Sequence, residues 1–168
     1  ILRLDYTRIS ALASHVLNKT LEEVPSTTKE FLGFQAKLTP KLSVKRLVIS
    51  DAHSKEEVKV LAVLEGPINW KLGGKTGKET VKLRINTNAT VKNNNGQLSL
   101  HITKLDSLKA QLSEININPL KSVDLSPWIE EWMGKQLANL PPISMGTINL
   151  PVRGIRLNST PLSQNIEL

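Results

Sequence analysis

Two segments of this chain carry apolar residues at helical spacing. In the first, Ile9, Leu12, Val16, Leu17, Leu21 and Val24 form one stripe along residues 5–24, the period of an amphipathic helix. Thr7 or Asp5 can cap it, and Pro25 with the Ser26-Thr27-Thr28 cluster stops it. In the second, Trp128, Ile129, Trp132, Met133, Leu137 and Leu140 oppose Glu130, Glu131 and Lys135. Ser126-Pro127 reads as a cap followed by proline at the first helical position, and Pro141-Pro142 ends the run. A helix is therefore expected over 127–140.

Between these helices the period falls to two. Phe34, Ala36 and Leu38 alternate with Gln35 and Lys37; Leu42 and Val44 resume after Pro40. The change of parity between Val44 and Leu47 predicts a bulge near Lys45-Arg46. Val58, Val60, Ala62 and Leu64 then mark one face of a strand, with Leu61 and Val63 on the other. Ile68, Trp70 and Leu72 carry the alternation past Gly66-Pro67, a pair expected to break or bend it. The cleanest strand sets Val81, Leu83, Ile85, Thr87, Ala89 and Val91 against Lys82, Arg84, Asn86, Asn88 and Thr90. Asn95-Gly96 is a favoured two-residue hairpin loop. Beyond it Leu98, Leu100 and Ile102 open a strand running through Leu105 and Leu108 towards Leu112.

Long strands joined by short turns make an antiparallel meander over 34–112. After the second helix, Ile148 with Leu150, Ile155 with Leu157 and Ile166 with Leu168 predict short closing strands over 147–168. The order of helix, long antiparallel sheet, helix and short strands is α+β, in a single domain spanning 1–168.

Composition adds constraints. The 168 residues are enough for a substantial core, and with aromatics at 4% that core must consist mainly of Leu, Ile and Val. The absence of cysteine excludes disulfides, thiolate catalysis and Cys-type zinc sites. A net charge of +7 favours anionic partners: nucleic acid, anionic lipid headgroups or acidic proteins. No apolar run approaches the ~18 residues that mark a membrane-spanning helix. The chain starts at Ile1 with no signal-peptide pattern, and the expectation is that an upstream segment has been removed.

The stretch "KLGGKTGKETVKL" holds the residue types that cradle phosphates. A phosphate loop requires G-x-x-x-x-G-K-[ST]. Gly77-Lys78 is followed by Glu79 and preceded at the first-glycine position by Leu72; in the other register Asn69 stands where that glycine belongs. Both registers fail, and a hairpin turn is expected. His15, His53 and His101 sit in no metal-ligand spacing and read as surface histidines. Glu56-Glu57 and Glu130-Glu131 are neighbours facing water, and no G-x-S-x-G elbow is present. The sequence thus gives no support to catalysis, a metal or a cofactor.

Lys71, Lys75, Lys78, Lys82 and Arg84 cluster about the Gly-rich turn. Single-strand nucleic-acid platforms interleave such charges with stacking aromatics, and Trp70 stands alone here. A solvated face, or a patch for an anionic membrane surface, is the better reading. The sequons at Asn18, Asn88 and Asn158 are expected by chance in a chain rich in Asn, Ser and Thr. Trp128, Trp132 and Met133 share one face of the second helix, where they either pack as core or line an elongated apolar groove.

In their order, "ISALASHVLNKTLEEV", the strands from Phe34 to Leu112, "SPWIEEWMGKQLANL" and "GIRLNSTPLSQNIEL" resemble the tubular lipid-binding (TULIP) superfamily, most closely the small YceB-like envelope lipoproteins of bacteria. "NGQLSLHITKLDSLKAQL", leading through "SEININPL" to the second helix, carries the resemblance most strongly. The resemblance implies a strongly curved antiparallel meander wrapped around the N-terminal helix and the second amphipathic helix. It implies an apolar channel that accepts acyl chains; the lack of a catalytic set in the residues themselves leads to the expectation of no enzymatic activity.

Two function classes follow. The first is binding or carriage of lipid or another long apolar ligand in the bacterial cell envelope, the protein being periplasmic and lipid-anchored through a segment upstream of residue 1. Its candidate channel residues are Leu12, Val16, Trp70, Ile85, Trp128, Trp132, Met133 and Leu137. The second is a structural or adaptor envelope domain with a packed core that binds another protein. A cavity separates the two.

Overall fold

The computed structural model describes residues 3–31, 33–52, 57–118, 121–147, 156–159 and 164–167. His53, Ile148, Leu150, Ile155 and Leu168 lie outside the described residues.

A short strand, β1 (Arg3–Asp5), runs directly into α1 (Tyr6–Glu22). Tyr6, Ile9, Ala13, Leu17 and Leu21 form the buried line of α1, with Leu12 and Val16 half-buried beside it. Strands β2 (Thr27–Phe31), β3 (Phe34–Pro40), β4 (Ser43–Asp51), β5 (Glu57–Leu72), β6 (Lys75–Asn94) and β7 (Gln97–Gln111) follow. A small pair, β8 (Ile115–Asn118) and β9 (Lys121–Val123), leads to α2 (Ser126–Ala138). The chain then forms β10 (Ile143–Thr147), β11 (Arg156–Ser159) and β12 (Gln164–Glu167).

The fold is α+β: a strongly curled antiparallel sheet forms a half-barrel accompanied by the N-terminal helix and a later one. Strand order is β10-β7-β6-β5-β3-β2, with β4 also paired to β5; β1, β12 and β11 form a separate sheet. Strands β5, β6 and β7 run for 16, 20 and 15 residues. Over such lengths the right-handed twist of each strand accumulates, and the sheet coils instead of lying flat. Helix α1 packs along β4 and touches β10, while α2 packs on β7.

The edge of β5 is shared end to end. Ser43–Asp51 pairs with Val58–Glu65, and Ala36–Pro40 pairs with Ile68–Leu72. Where the chain steps between these strands, the Lys41 N–H donates to the Pro67 carbonyl at 2.9 Å. Gly66 lies so near the Lys41 carbonyl that a Cβ would overlap it. Of the two outcomes expected at Gly66-Pro67, the break is corrected: β5 continues through it. The Pro67 carbonyl faces this junction, so its missing N–H falls on the same side, where the ladder is already interrupted.

The expected bulge is present, with the β4–β5 register shifting between Val44 and Arg46. The β5–β6 and β6–β7 turns each have two residues in the left-handed region: Gly73 and Gly74 at φ 56 and 84, Asn95 and Gly96 at φ 52 and 86. "KLGGKTGKETVKL" is thus a tight hairpin, and its glycines supply the backbone twist that joins two right-twisted strands.

Boundaries differ from the sequence pattern in several places: α1 ends at Glu22 and α2 at Ala138, each two residues early, and β1, β8 and β9 are strands the pattern does not mark. The sheet starts at Thr27, since the threonines after Pro25 pair with Leu38 and Lys37. Strand pairing also resumes at Ile143, ahead of the expected start near 147. The N-cap of α2 is Leu125, which makes no side-chain cap bond. Leu125 is drawn into the core, and the Asp124 carboxylate instead accepts the Ser126 N–H at 2.9 Å. That bond holds the Asp124 carboxyl below its usual range.

Each helix also closes an unpaired strand edge. Asn18 Oδ1 on α1 accepts the Val44 N–H of β4 at 2.8 Å. Glu130 Oε1 on α2 accepts the Ala110 N–H of β7 at 2.9 Å, beyond the stretch that β10 covers. Buried polar backbone left unpaired is costly, so these two side chains complete the ladder.

Candidate functional site: an apolar cavity under α1

The core falls into two clusters. One packs α2 and the second half of α1 against β3, β5 and β6; the other packs the start of α1 against β4, β5, β6, β7 and β10. Where they meet lies a cavity of about 220 Å³. Its floor is Val60 and Ala62 of β5 with Ile85, Thr87 and Ala89 of β6; its roof is Ala13 and Leu17 of α1. Leu137, Ala138 and Leu140 at the end of α2, with Ile143 of β10, close one side.

The cavity arises from small side chains. Along the inward row of β6, bulk falls from Val81, Leu83 and Ile85 to Thr87 and Ala89. Ala62 is in register with Ile85 on the neighbouring strand, and Ala13 is the small residue in the buried line of α1. With small residues above and below, nothing bridges the gap between helix and sheet.

The mouth is made by β7. Register runs Asn86↔Ser107, Thr87↔Leu105, Asn88↔Lys104 and Ala89↔Ile102, leaving Asp106 and Thr103 as extra residues of two successive bulges. Bulges re-aim side chains and bend the strand. Here Ile102 and Leu105 line the cavity while 37% and 38% exposed, so the lip is apolar and open to solvent. Lys104 stands between them, 3.7 Å from Asp106; both side chains are well exposed, and such a pair contributes little.

The interior is mainly apolar. Among the described residues the buried polar side chain is Thr87, whose hydroxyl donates to the Lys104 carbonyl at 2.6 Å. Thr103 Oγ1 donates to the Asn88 carbonyl at 3.2 Å, and Asn86 Nδ2 to Ser107 Oγ at 3.1 Å. The bulged backbone is thereby stitched, and the Thr87 donor is spent on the strand instead of on water. An apolar interior whose polar groups are already paired holds water weakly and accepts apolar guests.

The candidate channel residues fall in several places. Ile85 and Leu137 line the cavity. Leu12 and Val16 pack from α1 against the second cluster. Trp128 and Met133 are buried in the first cluster, and Trp132 is buried on α2. Trp70 is half-buried far along β5, opposite Gly77, where a Cβ would overlap its indole. Its Nε1 is buried with no hydrogen-bond partner among the described residues. Sequence reasoning looked for large side chains at the lining and passed over Ala13, Ala62, Thr87 and Ala89. The available signal was the loss of bulk within otherwise bulky buried stripes.

At the start of α1, the buried Tyr6 hydroxyl donates to Asp51 Oδ1 at 3.0 Å, fastening the helix to the end of β4. Burial, then the bond to Asp51, pushes the Tyr6 phenol above its ordinary range. His15 is exposed, and His101 is half-buried with Nε2 2.7 Å from Ser99 Oγ. Among the described residues there is no grouping of three His, Cys, Asp or Glu side chains able to hold a metal, and no helix long and apolar enough to cross a membrane.

No protein-family model matches the chain, and no curated protein sequence matches it.

Proposed function

We propose that the protein is a non-enzymatic binder or carrier of lipid or another long apolar ligand, acting in the bacterial cell envelope. The observation that carries this reading is the apolar cavity beneath α1 with Ile102 and Leu105 exposed at its lip.

Size decides what such a cavity can hold. An apolar cavity of ~150 Å³ takes a benzene ring. One of about 220 Å³ has room for roughly eight carbons on that scale. At ~0.8 kcal/mol per methylene, that segment gains about 6 kcal/mol on leaving water. The rigid-body cost of association is estimated at ~4–15 kcal/mol, so eight buried carbons alone give weak binding. A useful ligand therefore extends past the lip, laying further methylenes on Ile102 and Leu105. A single acyl chain fits that description, while a bulky polycyclic ligand does not.

The test is native mass spectrometry of protein purified from cells, together with titration of a fluorescent fatty acid. Co-purified lipid and saturable binding of the probe are expected. Absence of both would favour the alternative, an adaptor domain whose packed core supports contacts with another protein.

A further inference from the structure

The end of the half-barrel remote from the cavity mouth carries a second surface. Two hairpin tips meet there: Ala36 is in register with Leu72, which brings Phe34 beside the Gly73-Gly74 turn. The Phe34 ring rests against Gly73, where a Cβ would come within 2.7 Å of it. At 43% exposed, Phe34 is the most exposed large apolar side chain among the described residues. It is held in place by the turn and still faces water.

Phe34 shares the inward row of β3 with Ala36 and Leu38, while the outward rows of the same tip, on the opposite face, are basic. Lys37 of β3 stands directly opposite Lys71 of β5, and in the next row Lys78 of β6 stands opposite Asn69. All three lysines are exposed, and none has an ion-pair partner among the described residues. Like charges directly opposed on a sheet are unfavourable. The Cβ atoms of such a pair lie only about 5 Å apart, so both ammonium groups can reach one anionic group. Glu30, opposite Gln35 on the neighbouring hairpin, is the carboxylate on this end's outward rows.

We infer that this tip docks on the surface of an anionic bilayer. Phe34 enters the interface, and Lys37, Lys71 and Lys78 meet headgroup phosphates. An apolar side chain held on one face of a tip whose other face carries lysines suits end-on interfacial binding, since apolar burial and attraction to anionic lipid add. Nucleic acid fits less well. Stacking platforms present several rings along a basic groove, and here Trp70 points inward over Gly77 and Phe34 lies on the sheet face opposite to Lys37 and Lys71. This inference stands apart from the cavity and survives even if the cavity takes no ligand.

Co-sedimentation with lipid vesicles tests it, using the full chain. Binding is expected to vesicles of equimolar phosphatidylcholine and phosphatidylglycerol, with none to phosphatidylcholine alone, and with loss at high salt. Lys37→Ala and Lys71→Ala each weaken partition about fivefold, and Phe34→Ser about tenfold. Lys59→Ala, on the same sheet but away from the tip, leaves partition unchanged. Melting curves matching the parent establish that each variant is folded, and the exposed lysine variants carry the test if Phe34→Ser does not fold. Equal partition onto neutral vesicles would overturn the inference. So would wild-type partition of the Phe34 variant, or release from vesicles by a single-stranded oligonucleotide that binds the Phe34→Ser variant equally well.

Discussion

The Thr87 hydroxyl and the Lys104 carbonyl, 2.6 Å apart, join the cavity floor to the bulged strand that forms its mouth. Bulging frees carbonyls from the ladder, and Thr87 satisfies this one from below. Thr87→Val preserves shape and removes the donor. It should destabilise the protein by about 1–2 kcal/mol, the cost of a buried acceptor left unmade, measured as a shift in urea midpoint at constant slope. Thr87→Ser should recover most of that loss. Indistinguishable midpoints for parent and valine variant would show that the bulges hold without this bond.

Filling the cavity separates its role in binding from its role in folding. Ala62→Leu places three more carbons into existing space, so the stability change should stay within ~1 kcal/mol. The same carbons exclude ligand, and affinity for a fluorescent fatty acid should fall at least about tenfold. Unchanged affinity in a folded variant would place the ligand elsewhere.

The Tyr6 phenol gives a pH dependence of definite sign. Its folded value lies above the unfolded value near 10.0, because burial and the Asp51 bond both favour the protonated form. Its contribution is therefore complete below about pH 10 and is lost as pH rises through the folded value. Urea midpoints should fall more steeply above pH 10 for the parent than for Tyr6→Phe, which lacks the ionisable group. At neutral pH the same substitution should cost about 1 kcal/mol for the hydrogen bond. Parallel pH profiles for the two proteins would show that the phenol ionises alike in both states.

Much of this architecture is legible from residue pattern. The unbroken alternation from Val81 to Val91 specifies β6, because one buried face with period two admits one register. The parity change after Val44 marks the Lys45 bulge for the same reason. Ile102, Leu105 and Leu108 are spaced by three, the trace of the two bulges on β7, but with few residues between them the signal merges with ordinary irregularity. Strand β2 went unseen because Thr27-Thr28-Lys29-Glu30 offers no apolar alternation; pairing with β3 holds it in the sheet. Gly66-Pro67 misled because its tolerance depends on a junction between β3 and β4 that only the assembled sheet creates. The cavity was hardest of all to read. A void is set by which small side chains face one another, and Ala13, Ala62 and Ala89 come from three elements whose juxtaposition no local pattern encodes.

The two helix side chains that occupy strand edges, Asn18 on Val44 and Glu130 on Ala110, bear on how copies of the chain meet when crowded. A stray ribbon from a neighbouring molecule could splice onto either flank only by evicting an amide or a carboxylate already seated there. At those flanks, self-recruitment is discouraged by the fold's own helices.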